Sequence, residues 1–163
     1  MGLVGTVLSV LTFSVAAEEP GSAQSKNIQD SSTIKAIIAK TQNFSKIWNS
    51  GNLGAYVAEY EQLDNVGLYY SGGQTVGIGA IRKLYEDTWP TEEKMGKFDI
   101  HDVNVRIIAP TVALAHGTFQ HRFPDKTVDG NYTLAWILHE SGEWKIAHEH
   151  SARINIGPPS GIE

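Results

Sequence analysis

The sequence contains no cysteine and has a deficit of basic residues. Among its 163 residues there is no Cys, which excludes disulfides, thiolate nucleophiles, zinc fingers and iron–sulfur sites. Lys and Arg together number 13 against 18 Asp and Glu, giving a net charge of −5. Such a chain lacks the excess positive charge with which duplex nucleic-acid binders neutralise phosphates. We therefore expect a small-molecule or protein partner, no nucleic acid and no cofactor.

Charged side chains are also absent from residues 1–17. Gly, Ser and Thr interrupt this run, and it falls short of the roughly 20 residues that a membrane-spanning helix needs. It ends in Val15-Ala16-Ala17, a small-residue pattern that signal peptidase cuts. We predict a cleaved signal peptide over 1–17, a flexible lead-in over 18–30, a secreted or periplasmic location and no stable membrane span after cleavage. An uncleaved anchor and a buried strand are the alternatives.

Three later segments show the three- and four-residue spacing of apolar side chains that is typical of helices. The first begins at Ser31 and ends near Gly51, because glycine suits the left-handed conformation that ends many helices. The second covers 53–61. The third covers 78–89, where Pro90 ends it.

The remainder alternates between apolar and polar residues, which is typical of strands. A short strand is predicted between the second and third helices, and the apolar parity within the first long strand shifts around His101 and Asp102, which indicates a bulge. Helices followed by an antiparallel meander indicate an α+β fold with the helices packed on one face of the sheet. The predicted strands are 66–71, 98–108, 112–123, 128–139 and 143–154.

Three strings of residues carry a resemblance to a known superfamily. They are Ile47-Trp48-Asn49-Ser50-Gly51-Asn52-Leu53, Gly77-Ile78-Gly79-Ala80-Ile81 and Gly142-Glu143-Trp144-Lys145-Ile146-Ala147-His148-Glu149-His150-Ser151. The chain resembles the SnoaL-like branch of the nuclear transport factor two-like superfamily, which has the ketosteroid isomerase-like fold. Its last strand is also similar to that of the calmodulin-dependent kinase association domain. The resemblance implies a SnoaL-like domain over 31–156 and a C-terminal tail over 157–163.

The resemblance implies a cone-shaped, cystatin-like architecture. A curved antiparallel sheet wraps around the N-terminal helices and leaves an apolar cavity open at one end, and such domains pair as homodimers through the outer face of the sheet. Large aromatics with polar tips suit a pocket lining, and the alternative, favoured for any single one of them, is a core residue. The predicted ligand-binding residues are Phe44, Trp48, Tyr56, Trp89, His116, Tyr132, Trp136 and Ser151.

The catalytic groups of the ketosteroid isomerases do not carry over to this chain. Those enzymes use a carboxylate base, and they stabilise the oxyanion with a tyrosine and a protonated carboxylic acid. By resemblance, the tyrosine position falls on Phe44, the base falls near Tyr70 and the second acid falls near Leu134. All three roles are vacant, so steroid isomerisation by that route is not expected.

Histidine then supplies the side chains that titrate near neutral pH. His148 and His150 are two residues apart on a predicted strand, so they share a face with Trp144 and Ile146, which we expect to be the inner face. His116 shares the parity of its own strand's apolar residues. We predict His150 or His148 as the general base, with hydroxyl donors among Tyr70, Tyr85 and Tyr132.

Three other interpretations of the last strand stay open. His150 and Ser151 could simply hydrogen-bond across the sheet and close the core. Metal binding by His116, His148 and His150 is not favoured, because their spacing matches none of the strong ligand patterns. The metal-independent carbonic anhydrases of the superfamily carry His-His-Ser-Ser on this strand, where the present chain has Glu149-His150-Ser151-Ala152.

The sequence therefore predicts an exported SnoaL-like domain that binds a small, largely apolar molecule in its cavity. The chemistry it favours is proton transfer of the isomerase, cyclase or dehydratase type. The alternatives are a non-catalytic ligand-binding or oligomerisation module and, second, carbonic anhydrase-like activity.

Overall fold

A computed structural model describes the backbone of residues 20–159 and the side chains of residues 30–159. The predicted signal peptide, 1–17, lies outside the described residues, as do the last four residues of the predicted tail. The described helices are α1 (Pro20–Asn49), α2 (Leu53–Val57), α3 (Ile78–Thr88) and α4 (Glu92–Met95). The strands are β1 (Gly67–Tyr70), β2 (Gly73–Val76), β3 (Lys97–Ala109), β4 (Val112–Arg122), β5 (Thr127–Leu138) and β6 (Trp144–Gly157).

The strands of residues 20–159 form one curved sheet in the order β2-β1-β6-β5-β4-β3. β3 to β6 pair antiparallel in succession, as the period-two runs predict. β1 lies parallel to β6, so the sheet is mixed rather than wholly antiparallel. This arrangement confirms the predicted α+β class, and it adds β2 and α4, which the sequence did not predict.

The buried stripe of α1 packs against the inner face of the sheet. Its core side chains, Ile37, Phe44 and Trp48, are each at most 3% exposed. At its C-terminal end the Asn49 amide donates to the carbonyl of Phe98 at 2.9 Å and accepts from the same residue's N–H at 2.8 Å. Gly51 then ends the helix with a φ of 74°, as predicted. The start of α1 at Pro20 precedes the predicted start at Ser31.

The bulge predicted in β3 is present. The register with β4 shifts between His101 and Asn104, and Asp102 takes a φ of 52°. A second bulge, which the sequence did not predict, lies in β6. Trp136 pairs with Ile146, whereas the preceding residue of β5 pairs with His148, so Ala147 is the extra residue.

The β6 bulge coincides with a change of partner along that strand. Ile146 exchanges backbone hydrogen bonds with Glu59 (3.0 Å) and Glu61 (2.9 Å), whereas the residues from His148 onward pair with β1. Inserting one residue reverses the side-chain alternation, because the side chains of a strand repeat every two residues. Ile146 therefore faces the core, and beyond the bulge the inward residue is Glu149.

The prediction that His148 and His150 face inward is wrong for this reason: both are exposed on the outer face. His116 is also exposed on that face, because the inward residues of β4 are Ala113 and Ala115, both 0% exposed. Apolar side chains occupy both faces of β4, so the alternation of hydrophobicity did not indicate which parity was buried.

Candidate functional site

The helices and the inner face of the sheet enclose a cavity of about 580 Å³. Its wall is mostly aromatic and aliphatic, with a few polar groups, which is typical of a small-molecule site. Of the predicted site residues, those that line it are Phe44, Trp48, Tyr56, Tyr70, Tyr85, Trp89, Tyr132 and Ser151. Other lining residues include Leu68, Leu84, Phe98, Ile100, Phe119, His121, Phe123, Val128, Leu134 and Glu149.

The remaining predicted site residues lie elsewhere. His116, His148 and His150 are on the outer face of the sheet and do not line the cavity. Trp136 is 0% exposed and packs edge-to-face behind Phe44, with ring centroids 5.9 Å apart. It therefore supports the cavity wall rather than forming its surface.

Trp48 is the centre of the aromatic wall. Its ring makes edge-to-face contacts with Tyr56 at 5.1 Å and Trp89 at 4.9 Å between centroids. Its indole Nε1–H donates to the carbonyl of Met95 at 3.0 Å. A hydrogen-bonded, close-packed tryptophan is held in one orientation, so this part of the wall is preformed.

The acidic group of the cavity is Glu149, whose side chain is 8% exposed. The hydroxyl of Tyr60 donates a hydrogen bond to Oε2 of Glu149. The hydroxyls of Tyr60 and Tyr85 are 3.2 Å apart, and because the Tyr60 proton points to the carboxylate, Tyr85 donates to Tyr60. The three groups form a chain in which two phenols stabilise one carboxylate.

Burial raises the pKa of Glu149 above its ordinary value, and the hydrogen bonds from Tyr60 and Ser151 partly oppose the rise. A carboxylate of raised pKa is a stronger base than an exposed one. Burial also raises the pKa of Tyr60 and of Tyr85, so both remain protonated donors at neutral pH. The site therefore holds one group that can exchange a proton and phenols that keep theirs.

The hydroxyl of Tyr132 is buried and has no hydrogen-bond partner among the described residues. Its side chain is 6% exposed and its pKa is raised, first by burial and then by the charge of Asp102. In the sheet it lies between Gly117 of β4 and Ser151 of β6. A Cβ atom on Gly117 would lie 2.7 Å from the Tyr132 hydroxyl, so the glycine leaves room for the phenol. A buried donor without a partner is available to a ligand.

His121 lies in the wall near Trp48 and Phe123, whose ring centroids are 5.3 and 4.1 Å away. Its Nε2–H donates to the carbonyl of Met95. Burial lowers the pKa of His121 to about 4, so the ring is neutral at pH 7. It therefore contributes an uncharged aromatic surface.

The sequence interpretation missed Glu149, Tyr60 and His121 as site residues. Glu149 was overlooked because the unbroken alternation from Trp144 would place its side chain outside. One signal was present: Glu149 is a lone acid in a strand whose other parity carries two histidines, so inversion of the strand would bury a carboxylate. The signal was conditional, because no feature of the sequence indicated that β6 contains a bulge and is inverted.

Within residues 20–159, no three His, Asp or Glu side chains come close enough together to hold a metal ion. None of the helices in that range combines the length and the apolar character needed to cross a bilayer.

Solved structures with the same fold are known, although the sequence itself has no match. No family model and no curated protein matches the sequence. Among solved structures, a nuclear transport factor two-like protein of unknown function from Shewanella oneidensis is similar with a TM-score of 0.67 and 22% identity, over 71% of this chain and 95% of that one. A candidate calcium/calmodulin dependent protein kinase II association domain from Xanthomonas campestris has a TM-score of 0.61 and 19% identity, over 89% and 98%.

A candidate scytalone dehydratase from Novosphingobium aromaticivorans has a TM-score of 0.61 and 16% identity, over 78% of this chain and 88% of that one. Identities this low establish architecture and not activity. The architecture of these solved structures agrees with the superfamily that the sequence resembles. The protein has the nuclear transport factor two-like, cystatin-like fold.

Proposed function

We propose that the cavity binds a small, largely apolar carbonyl compound and that Glu149 moves a proton on it. The observation that supports this is a buried carboxylate of raised pKa, bonded by Tyr60, in an aromatic cavity that also contains the unpaired hydroxyl of Tyr132. Glu149 takes the role of general base that the sequence analysis predicted for His150 or His148. The reaction class, isomerisation, cyclisation or dehydration by proton transfer, is unchanged.

The proposed step begins with abstraction of a proton from the carbon beside the carbonyl. Glu149 accepts the proton, and the C–H electron pair forms the carbon–carbon double bond of an enolate. Tyr132 donates a hydrogen bond to the oxygen on which negative charge develops. When the substrate also has a carbon–carbon double bond next to the carbon that loses the proton, the enolate is a dienolate. Glu149 then returns the proton to the far carbon of the dienolate, the carbonyl re-forms and the double bond shifts by one position, which completes an isomerisation. Tyr60 and Tyr85 are positioning residues that hold the carboxylate.

The structural neighbours support this class of chemistry without fixing the reaction. One is described as a candidate dehydratase, and another as ketosteroid isomerase-like. The second alternative, carbon dioxide hydration, has less support here, because His150 and Ser151 are on opposite faces of β6 and do not share a site.

Hydrogen–deuterium exchange tests the proposal directly. The protein is incubated in D₂O with a panel of small cyclic ketones and enones, and loss of the protons beside the carbonyl is followed by NMR. We expect exchange by the wild type and by His150→Gln, and at least a hundredfold slower exchange by Glu149→Gln, since a positioned base contributes about 10² or more. Exchange that survives Glu149→Gln, or that is lost in His150→Gln, would contradict the assignment.

We further propose that the chain forms a homodimer through the outer face of the sheet, where Thr133 lies exposed between His116 and His150 of the neighbouring strands. Thr133→Arg would place a charge at the centre of that face. Light scattering is expected to report a dimer for the wild type and for Thr111→Arg, an exposed control in the β3–β4 turn, and a monomer for Thr133→Arg. A monomeric wild type would exclude the dimer.

Export remains a proposal that rests on the first 17 residues. We expect a mature chain that begins at Glu18 when the gene is expressed in a cell with a secretory pathway. Mass spectrometry of the purified protein measures this, and a mature chain that retains Met1 would exclude cleavage.

A further inference from the structure

The inward residues of β6 beyond the bulge form a polar line along the cavity wall. Glu149, Ser151 and Arg153 alternate along the strand and all line the cavity. Arg153 is four residue steps along the strand from Glu149, a rise of about 13 Å. The line therefore runs from the buried carboxyl to an exposed guanidinium at the mouth.

Two further cations share the cavity lining with Arg153. Lys94 comes from α4 and Lys126 from the β4–β5 turn, and both are exposed. Among the described lining residues, Glu149 is the one acid, and it lies at the buried end. The exposed part of the lining thus carries three cations and no acid, although the whole chain carries a net charge of −5.

These cations are weakly compensated by the protein itself. Among the described residues, neither Lys94 nor Arg153 forms an ion pair, and Lys126 is 3.9 Å from the carboxylate of its neighbour Asp125. The Nζ atom of Lys126 also lies 5.4 Å from the ring centroid of Phe123, a lining residue. Exposed cations around an apolar cavity attract an anion and turn its apolar part inward.

We infer that the ligand is an anionic amphiphile: a carboxylate held at the mouth by Arg153, Lys126 and Lys94, on an apolar body that extends toward Glu149. This inference rests on the proposed function for the reacting end, and it adds the charge and the orientation of the ligand. Because Arg153 is four residue steps along β6 from Glu149, a carboxylate bound at Arg153 is kept apart from the carboxylate of Glu149.

Calorimetry with a matched pair of probes, phenylbutanoate and phenylbutanamide, tests the inference at pH 8. Exposed charge pairs are individually weak, so we expect the acid to bind about fivefold more tightly than the amide. That preference should fall as salt is raised. NMR of the Trp48 and Trp89 indole groups, which line the cavity, reports whether each probe enters it.

The triple variant Arg153→Gln/Lys126→Gln/Lys94→Gln should bind acid and amide with equal affinity. Arg106→Gln, at an exposed position of β3 that does not line the cavity, should retain the preference. If the wild type binds the two probes equally, the inference of an anionic ligand is wrong. Proton transfer by Glu149 is not affected by that result. Failure of both probes to perturb the indoles would contradict the inference and the cavity as a ligand site together.

Discussion

The hydroxyl of Tyr60 donates a hydrogen bond to Oε2 of Glu149, a residue 89 positions away in the chain. Tyr60 follows α2 and Glu149 lies on β6, and the bulge at Ala147 brings the carboxylate to the inner face. Both residues are buried, with Tyr60 0% and Glu149 8% exposed. Burial of the carboxylate costs folding free energy, and the hydrogen bond from Tyr60 offsets part of that cost.

Replacing Glu149 with Gln should change the pH dependence of stability. Burial raises the pKa of Glu149 above its ordinary value of 4.5, so the folded protein binds this proton more tightly than the unfolded chain does. The resulting stabilisation is complete below the unfolded pKa and is lost as pH rises through the folded pKa. Glu149→Gln stays uncharged, so we expect it to be more stable than the wild type at pH 8 and similar to it at pH 4.

Urea denaturation between pH 4 and 8 measures this difference in the free energy of unfolding. Glu140→Gln, an exposed position in the β5–β6 turn, is the matched control and should follow the wild type. A constant difference between Glu149→Gln and the wild type across the range would show that the carboxyl is not destabilised by burial.

His121 should contribute to stability with the opposite sign. Its pKa falls from 6.5 to about 4 on folding, so the unfolded chain binds the extra proton between these values. Its contribution is present above pH 6.5 and decreases as pH falls toward 4, by about 3 kcal/mol in all. In His121→Gln this component of the acid sensitivity should disappear. The exposed His116→Gln should keep it, and equal acid sensitivity of the two variants would refute the assignment.

The hydroxyls of Tyr132 and Tyr60 should have contrasting effects when removed. Tyr132 has no hydrogen-bond partner among the described residues, so Tyr132→Phe should leave the free energy of unfolding within about 1 kcal/mol of the wild type or raise it. Tyr60→Phe leaves a buried carboxyl without its donor and should cost about 1–3 kcal/mol. If Tyr132→Phe proves the more destabilising of the two, its hydroxyl has a structural partner and is not available to a ligand.

Gly117 tests the close packing around Tyr132, and Gly79, which lies in open space, is its control. A Cβ on Gly117 would lie 2.6 Å from the carbonyl oxygen of His101 and 2.7 Å from the Tyr132 hydroxyl, so Gly117→Ala should destabilise by about 1–3 kcal/mol. Gly79 in α3 has nothing within 4 Å of such an atom, so Gly79→Ala should stabilise by about 0.5–1 kcal/mol. Thermal unfolding of both variants measures the contrast, and a neutral Gly117→Ala would mean that both the phenol and the backbone carbonyl of His101 move aside at little cost.

Much of the fold followed from local patterns. The spacing of Ile37, Phe44 and Trp48 predicted the buried face of α1, and the period-two runs predicted the four long strands within a few residues. The shift around His101 predicted a bulge that is present. The strand β2 was missed because its residues, Gly73–Val76, carry no buried alternation.

The sequence by itself determined the fold class, the supply of aromatic residues for a cavity and the absence of cysteine chemistry. These depend on composition and on periodicities that the backbone geometry imposes locally. The tertiary structure decided which side chains face the cavity, because Ile146 pairs with the segment after α2 and His148 pairs with β1, and the extra residue between them inverts the strand. One inserted residue thereby exchanges two histidines for a carboxylate, a change that hydrophobic patterning along β6 cannot reveal.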